Sequence, residues 1–421
     1  MTIVRCPRFF VHSIAMRLHC HARNSPDALA GERAARYTAA VSDFRYTCAA
    51  AATFGLESVV RVELDNLGIQ GARAADRRVF FEGSARDIAR ANLGLRTADR
   101  VLIQLAEFPA PDFDTLYEGV HAVDWKDLLG ARAAVDVAAR SVKSRLTATP
   151  TIQSVAKKAI IDSLRGTRGR RQPTERMEET GARYDVEVSL HSDRASISLD
   201  TTGPGLHKRG YRTAAGDAPL RENLAAALVL LSRWEIPRPF VDPFCGSGTI
   251  PIEAALVAAH IAPGIGRSFA AEAGGLVPAA AWKAAREQAR AEEGPRAPGT
   301  IEGSDRDARM ITVAEENARA AGVGAMVRFR QAPFEKLAPK GDFGCIVCNP
   351  PYGVRQGERD EVEALYRAMG ALFHGLPTWS LFALSAREDF QKFFGARASR
   401  NRKLYNGNVR CWYYQYFGPL R

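Results

Sequence analysis

The segment Phe240-Val241-Asp242-Pro243-Phe244-Cys245-Gly246-Ser247-Gly248-Thr249 constrains this chain more than any other. A short apolar strand ends in an acid and a Gly-x-Gly turn, and a helical pattern follows at once through Ile250, Ile252, Ala255, Leu256 and Ala259. Strand, glycine turn and helix N-terminus together bring free backbone N–H groups against a ligand. The glycines let that ligand approach with no Cβ in the way. Pro251 stands where a dinucleotide fingerprint has its third glycine, and no Gly-Lys-Ser/Thr marks a nucleotide-triphosphate loop. Asp242 at the strand tip suits a ligand with a cationic amino group. Glu253, in the first turns of the helix, either orders Ser247 or Thr249 or offsets helix-end charge.

Two further segments complete the pattern. Thr300-Ile301-Glu302-Gly303-Ser304-Asp305 reads as a second strand ending in an acid, followed by a helix from Arg306 to Ala321 with Ile311, Ala314 and Ala318 on one face. An acid there can accept hydrogen bonds from both hydroxyls of a ribose; Asp305 is preferred to Asp307, which lies a turn into the helix. The long separation from Asp242 is filled by an Ala-, Glu- and Arg-rich inserted helix, Ala279 to Glu293. Downstream, Cys345-Ile346-Val347-Cys348 opens onto Asn349-Pro350-Pro351-Tyr352. Prolines lock φ and donate no hydrogen bond, so the neighbouring carbonyls point in fixed directions. With the Asn349 amide and the Tyr352 ring they can grip a flat, amine-bearing group.

Together these residues resemble the bacterial THUMP-containing RNA methyltransferases. These are class I S-adenosylmethionine enzymes that modify the exocyclic N2 of guanine in 23S ribosomal RNA. The likeness extends to Gly205-Leu206-His207-Lys208-Arg209-Gly210-Tyr211-Arg212 with Ala218-Pro219-Leu220, to Ile261-Ala262-Pro263-Gly264 with Arg267-Ser268-Phe269, and to Arg402-Lys403-Leu404-Tyr405-Asn406-Gly407. It runs from about Arg45 to the C-terminus. It implies cofactor contacts at Pro219, Leu220, Asp242, Phe244, Gly246, Ser247, Gly248, Thr249, Glu253, Asp305, Arg306, Phe334 and Asn349, and a catalytic Asn349-Pro350-Pro351-Tyr352. Gln331-Ala332-Pro333-Phe334 departs from the acid often found after the third strand, and Ala273-Gly274-Gly275 replaces a tryptophan-rich stretch.

The expected fold is α/β: a Rossmann-like class I methyltransferase domain, its mixed sheet ending in an antiparallel hairpin at Asn406-Gly407, preceded by a ferredoxin-like and THUMP RNA-binding region. The 421 residues divide as an extension (1–44), a small α/β module (45–86), a THUMP domain (87–202) and the methyltransferase domain (203–421). The extension lacks periodicity and reads as disordered. Its Arg5, Arg8, Arg17 and Arg23 imitate a transit peptide, or the segment precedes the true start. Seven scattered cysteines suit free thiols in a reducing cytoplasm. Cys345 and Cys348 face opposite sides of their strand, so no metal is expected. No apolar run is long enough for a membrane span.

A net charge of +11 favours a polyanionic partner. Between Arg140 and Arg176 the cations Arg140, Lys143, Arg145, Lys157, Lys158, Arg165, Arg168, Arg170, Arg171 and Arg176 face only Asp162 and Glu175. Lys143, Arg145, Lys157, Lys158, Arg168, Arg170 and Arg171 are therefore expected on RNA phosphates, as are His207, Lys208, Arg209 and Arg212 beside the pocket. Tyr352 is expected to stack on an extruded base. Alternatives are a tRNA guanine-N2 methyltransferase, a DNA adenine-N6 or protein glutamine-N5 methyltransferase, and a non-catalytic RNA-binding protein.

Overall fold

Two seven-stranded sheets divide the chain between them. The computed structural model describes residues 44–75, 77–129, 132–167, 180–212, 220–296, 300–353 and 359–419, so the extension lies outside it. In the first half the order is β1 (Tyr46–Ala52), α1 (Glu57–Asn66), β2 (Arg73–Ala75), β3 (Arg78–Gly83), α2 (Ala85–Gly94), β4 (Ala98–Pro109), α3 (Phe113–His121), α4 (Trp125–Leu129), β5 (Ala134–Val142), α5 (Thr149–Arg165), β6 (Arg183–His191) and β7 (Arg194–Asp200). The strands lie in the order β2-β3-β1-β4-β7-β6-β5. The twelve-residue β4 joins two modules: Ala98–Ile103 pair with β1, and Leu102–Pro109 pair with β7. Local signals start the helices on either side of it. Ser84 and Asp87 form a capping box at α2, and Asp112 and Thr115 form another at α3.

The second half continues with α6 (Glu222–Ser232), β8 (Phe240–Asp242), α7 (Thr249–Ala258), α8 (Ala270–Ala273), α9 (Ala279–Ala291), β9 (Ile301–Asp305), α10 (Ala308–Ala320), β10 (Val327–Gln331), β11 (Cys345–Cys348), α11 (Arg359–His374), β12 (Ser380–Ser385), α12 (Phe390–Phe394), β13 (Arg400–Asn406) and β14 (Val409–Tyr416). The sheet order is β10-β9-β8-β11-β12-β14-β13. The first five strands of that order are parallel, and β14 and β13 close it antiparallel through the Asn406-Gly407 turn, as the sequence predicts. Parallel neighbours need helical crossovers, which explains the alternation along the chain. The helix after β9 starts at Ala308 rather than Arg306, because Asp307 is its N-cap and accepts the Arg309 N–H.

Each half inserts side chains into the other's core. Leu56, at the turn before α1, is fully buried among the methyltransferase residues Leu224, Leu404 and Tyr413. The turn comes close because Gly55 has φ +89 and a Cβ there would meet the Lys403 carbonyl at 2.6 Å. In return, Phe269 and Trp282 stack 5.0 Å apart and join the core formed by Phe81 of the small module with Ile88 and Leu93 of α2. The inserted helix α9 thus covers that module. Leu56→Ala should therefore lower stability by about 2–5 kcal/mol. Val62→Ala, at a position 47% exposed on α1, should change it by no more than about 0.5 kcal/mol. Urea midpoints of the two variants test this, and equal midpoints would dismiss the seam as a source of stability.

Candidate active site

The chain runs from β8 outward to β9 and β10, then returns to lay β11 on the other flank of β8. That reversal opens a crevice beyond the carboxyl ends of β8 and β11, where open α/β sheets bind ligands. Register aligns Phe240 with Cys345 and Val241 with Ile346. Asp242 and Asn349 therefore leave neighbouring strands about 4.8 Å apart, and the glycine turn and Asn-Pro-Pro-Tyr share one crevice.

The turn is held from below. Asp242, 1% exposed, accepts the Phe244 N–H at 3.0 Å. Burial pushes its carboxyl well above the usual carboxylate range against that hydrogen bond, and the nearby Asp305 charge adds to the rise. Half-buried Asp305 accepts the Gly246 N–H at 3.0 Å through one oxygen and the Asp307 N–H at 3.0 Å through the other. Asp307 is engaged by Arg309 at 2.7 Å and by its capping role, whereas Asp305 holds the glycine turn. Gly246 has φ +49 and a Cβ on it would meet nothing within 4 Å, so the turn leaves open space above its backbone. At Gly248, φ +82, a Cβ would press on Ala314 at 2.9 Å. Phe244 and Phe334 stack 5.2 Å apart. Leu220 is buried, Arg306 is exposed, and Pro219 lies outside the described residues.

Asn349 is half-buried after β11. Its Oδ1 accepts a short hydrogen bond from the Tyr352 hydroxyl, whose Oη also lies 3.9 Å from Cys411 Sγ. Burial raises the Tyr352 pKa well above the ordinary phenol value. Tyr366, which no sequence pattern singles out, donates to the Pro351 carbonyl at 2.9 Å and contacts Ser385 at 3.1 Å. It fixes the proline turn from behind.

Several positions carry other roles than the sequence suggests. Glu253 is wholly buried and does not reach Ser247 or Thr249; it pairs with Arg209 at 3.4 Å and accepts the Tyr211 hydroxyl at 3.1 Å. Arg209, with a 2% exposed side chain, also donates to the Leu206 carbonyl at 2.5 Å and to the Arg96 carbonyl, so no RNA phosphate can reach it. Arg212 turns inward as well, to the Leu220 carbonyl at 2.8 Å and Thr249 Oγ1 at 2.9 Å. Burial and the charges of Arg221, Lys208 and Arg209 push His207 down to about 4 despite Asp99, so it is neutral at pH 7 and offers phosphate no charge. Lys208 remains exposed. Arg267, which the sequence offers only as part of the family likeness, donates to the Gly205 and Lys208 carbonyls at 2.8 and 3.0 Å and shapes the linker.

On the preceding module Lys143 and Arg145 are exposed beyond β5, with Arg145 drawn to Asp193 at 3.5 Å. Lys157 is half-exposed on α5, and Lys158 pairs with Asp162 at 2.6 Å. Arg168, Arg170 and Arg171 lie outside the described residues.

Known families agree with this architecture. The RMKL-like, methyltransferase domain matches residues 209–415, the RlmL ferredoxin-like domain 47–102 and the THUMP domain 110–200. YpsC of Bacillus subtilis, which carries a provisional RNA methyltransferase name, is 45% identical over 90% of this chain and 97% of its own length. Ribosomal RNA large subunit methyltransferase K/L of Syntrophotalea carbinolica is 38% identical over 86% of this chain but 52% of its own length, so the chain spans about half of that relative. Among solved structures, SMU.472, provisionally named a methyltransferase and complexed with SAH, is 41% identical with a TM-score of 0.83 over 90% of this chain and 99% of its own. A Listeria monocytogenes protein provisionally named an N6-adenine-specific DNA methylase has the same identity and TM-score over 94% of this chain and 99% of its own. This chain belongs to the family of YpsC, RNA methyltransferases that join a ferredoxin-like module and a THUMP domain to an RMKL-like methyltransferase domain.

Proposed function

We propose that this chain uses S-adenosylmethionine to methylate the exocyclic N2 amine of a guanine in 23S ribosomal RNA. The observation that carries the reading is the pairing of β8 with β11, which faces the glycine turn and Asn349 into one crevice. The open backbone over Gly246, the half-buried Asp305 and the Phe244–Phe334 stack suit a nucleoside, with Asp305 for the ribose and the rings for adenine. SMU.472 holds SAH. Asp242, its carboxyl raised by burial, gains a counter-charge from a cationic amino group. Bound there, the sulfonium cofactor supplies an electrophilic methyl group.

The residues of the chain do the orienting. The lone pair of a guanine amine is delocalised into the ring, which makes it a poor nucleophile. Asn349 Oδ1 and the Pro350 carbonyl accept its two N–H bonds, fix the nitrogen for in-line approach and stabilise the positive charge that develops on it. The alkylated nitrogen loses its proton readily, so no strong base is needed. Tyr352 gives up its bond to Asn349 as the amine arrives and lays its ring against the base. Ribosomal RNA as substrate is supported by the THUMP domain, the net charge and the names of the K/L relatives.

A DNA adenine-N6 reading draws on the name of the Listeria protein, since adenine also presents a planar NH2. Labelled donor offered with 23S ribosomal RNA, tRNA, duplex DNA or release factor separates these readings. The expected result is label in ribosomal RNA alone, on guanine N2 by mass spectrometry; label in adenine of DNA would overturn the proposal. Asn349→Ala should lower turnover about 100-fold or more while SAH affinity by calorimetry falls by far less, and near-normal turnover would refute its role. Tyr352→Phe keeps the ring and should stay within about threefold of wild type, whereas Tyr352→Ala should lose about 1–3 kcal/mol of base stacking, read in kcat/KM. Equal activity of the two variants would remove stacking from the mechanism.

A further inference from the structure

A second basic site lies on the methyltransferase domain itself. A cavity of about 320 Å³ opens between the end of α6 and the β13–β14 pair, lined by Leu230, Leu231, Arg233, Arg400, Arg402 and Phe417 among others, and by no carboxylate among the described residues. It sits at the end of β13 opposite the Asn406-Gly407 turn. Arg400 and Arg402 share a face of the strand, two residues apart, and Leu404, next on that face, is buried in the core that also takes in α6. Both residues line the cleft. Arg402 is fixed in place by donating to the Gly55 carbonyl at 2.9 Å and Ser58 Oγ at 3.4 Å. Arg233 and Arg400 have no acidic partner among the described residues, and both are exposed.

Three like charges around one small cavity repel each other unless an anion joins them. Guanidinium forks match the oxygens of a phosphate in shape and charge. The leucines give the cleft an apolar floor, and Phe417, 36% exposed, offers a ring at its lining. From Arg400 to Asn406 the edge strand covers about 20 Å, ending at the same sheet edge as Asn-Pro-Pro-Tyr, with Lys403 exposed along the way. We infer that this cleft binds phosphodiester groups of the substrate RNA, anchoring a strand that runs along β13 toward the crevice. The inference rests on RNA being the substrate, and it adds a backbone contact outside the THUMP domain.

The test uses the full chain with the double variant Arg233→Gln/Arg400→Gln and a 23S ribosomal RNA fragment, with binding measured across salt concentrations. Loss of two phosphate contacts should reduce the slope of log affinity against log salt by about 1.4–1.8, with KM for RNA raised about tenfold. Turnover at saturating RNA, SAH affinity and melting temperature should not move. Arg233→Lys/Arg400→Lys should restore the slope, because counterion release follows charge. An unchanged slope and KM in the Gln variant would overturn the cleft. Absence of label transfer from wild type to any RNA would instead defeat the methylation reading, while the salt slope still decides the cleft.

Discussion

One guanidinium joins the linker to both halves of this protein. Arg209 belongs to the linker, its carboxylate partner Glu253 to the helix that follows the glycine turn, and the Arg96 carbonyl it caps to the first half. Glu63 receives the Arg96 and Thr97 N–H groups on the module side, at 2.7 and 3.1 Å. Burial drives the Glu63 carboxyl up and the Arg96 guanidinium down, so each charge depends on the others. Removing one member of a buried pair leaves an uncompensated charge, which costs about 3–5 kcal/mol. Such a network tolerates little displacement, and it ties the orientation of α7, hence of the glycine turn, to the position of the RNA-binding half.

The same logic explains the exchange of side chains across the seam. Leu56 enters the methyltransferase core while Phe269 and Trp282 enter the core of the module. A polar network alone fixes direction but contributes little net stability; apolar burial supplies the driving force. Together they bind two sheets into one frame, with the edge strand β13 against the turn that carries Phe54 and Gly55.

Much of this was legible in the sequence, and the failures share one cause. The strand–glycine–helix segment, the acid ending β9, the Asn-Pro-Pro-Tyr tip and the terminal hairpin are local patterns whose meaning lies within a few residues of chain. Arg209, Arg212 and His207 stand in a basic run that looks like an RNA-facing stretch. Their partners Glu253, Thr249 and the surroundings of the linker come from distant parts of the chain, so composition could not tell an inward cation from an outward one. The edge strand β5 went unread for a related reason: alternation there is carried by small and charged residues, and its apolar signal is weak. Tyr366 was invisible because an aromatic residue on a helix face reads as packing until its hydroxyl is seen on the Pro351 carbonyl.

The bond between Tyr352 and Asn349 has a consequence for how the crevice works. A buried amide oxygen left without a donor is destabilising by about 1–3 kcal/mol, and Asn349 is half-buried at the bottom of an apolar strand tip. The Tyr352 hydroxyl satisfies that oxygen from within the same four-residue turn. On the proposed mechanism an arriving amine exchanges one donor for another at Oδ1. In that proposal the ring then covers the base, next to Gly353 with its φ of +65. Recognition of the amine and closure of the aromatic wall are one event in that proposal. A planar NH2 group is the proposed trigger, because a carbonyl at the same place could not donate to Asn349 and would leave the tyrosine where it is.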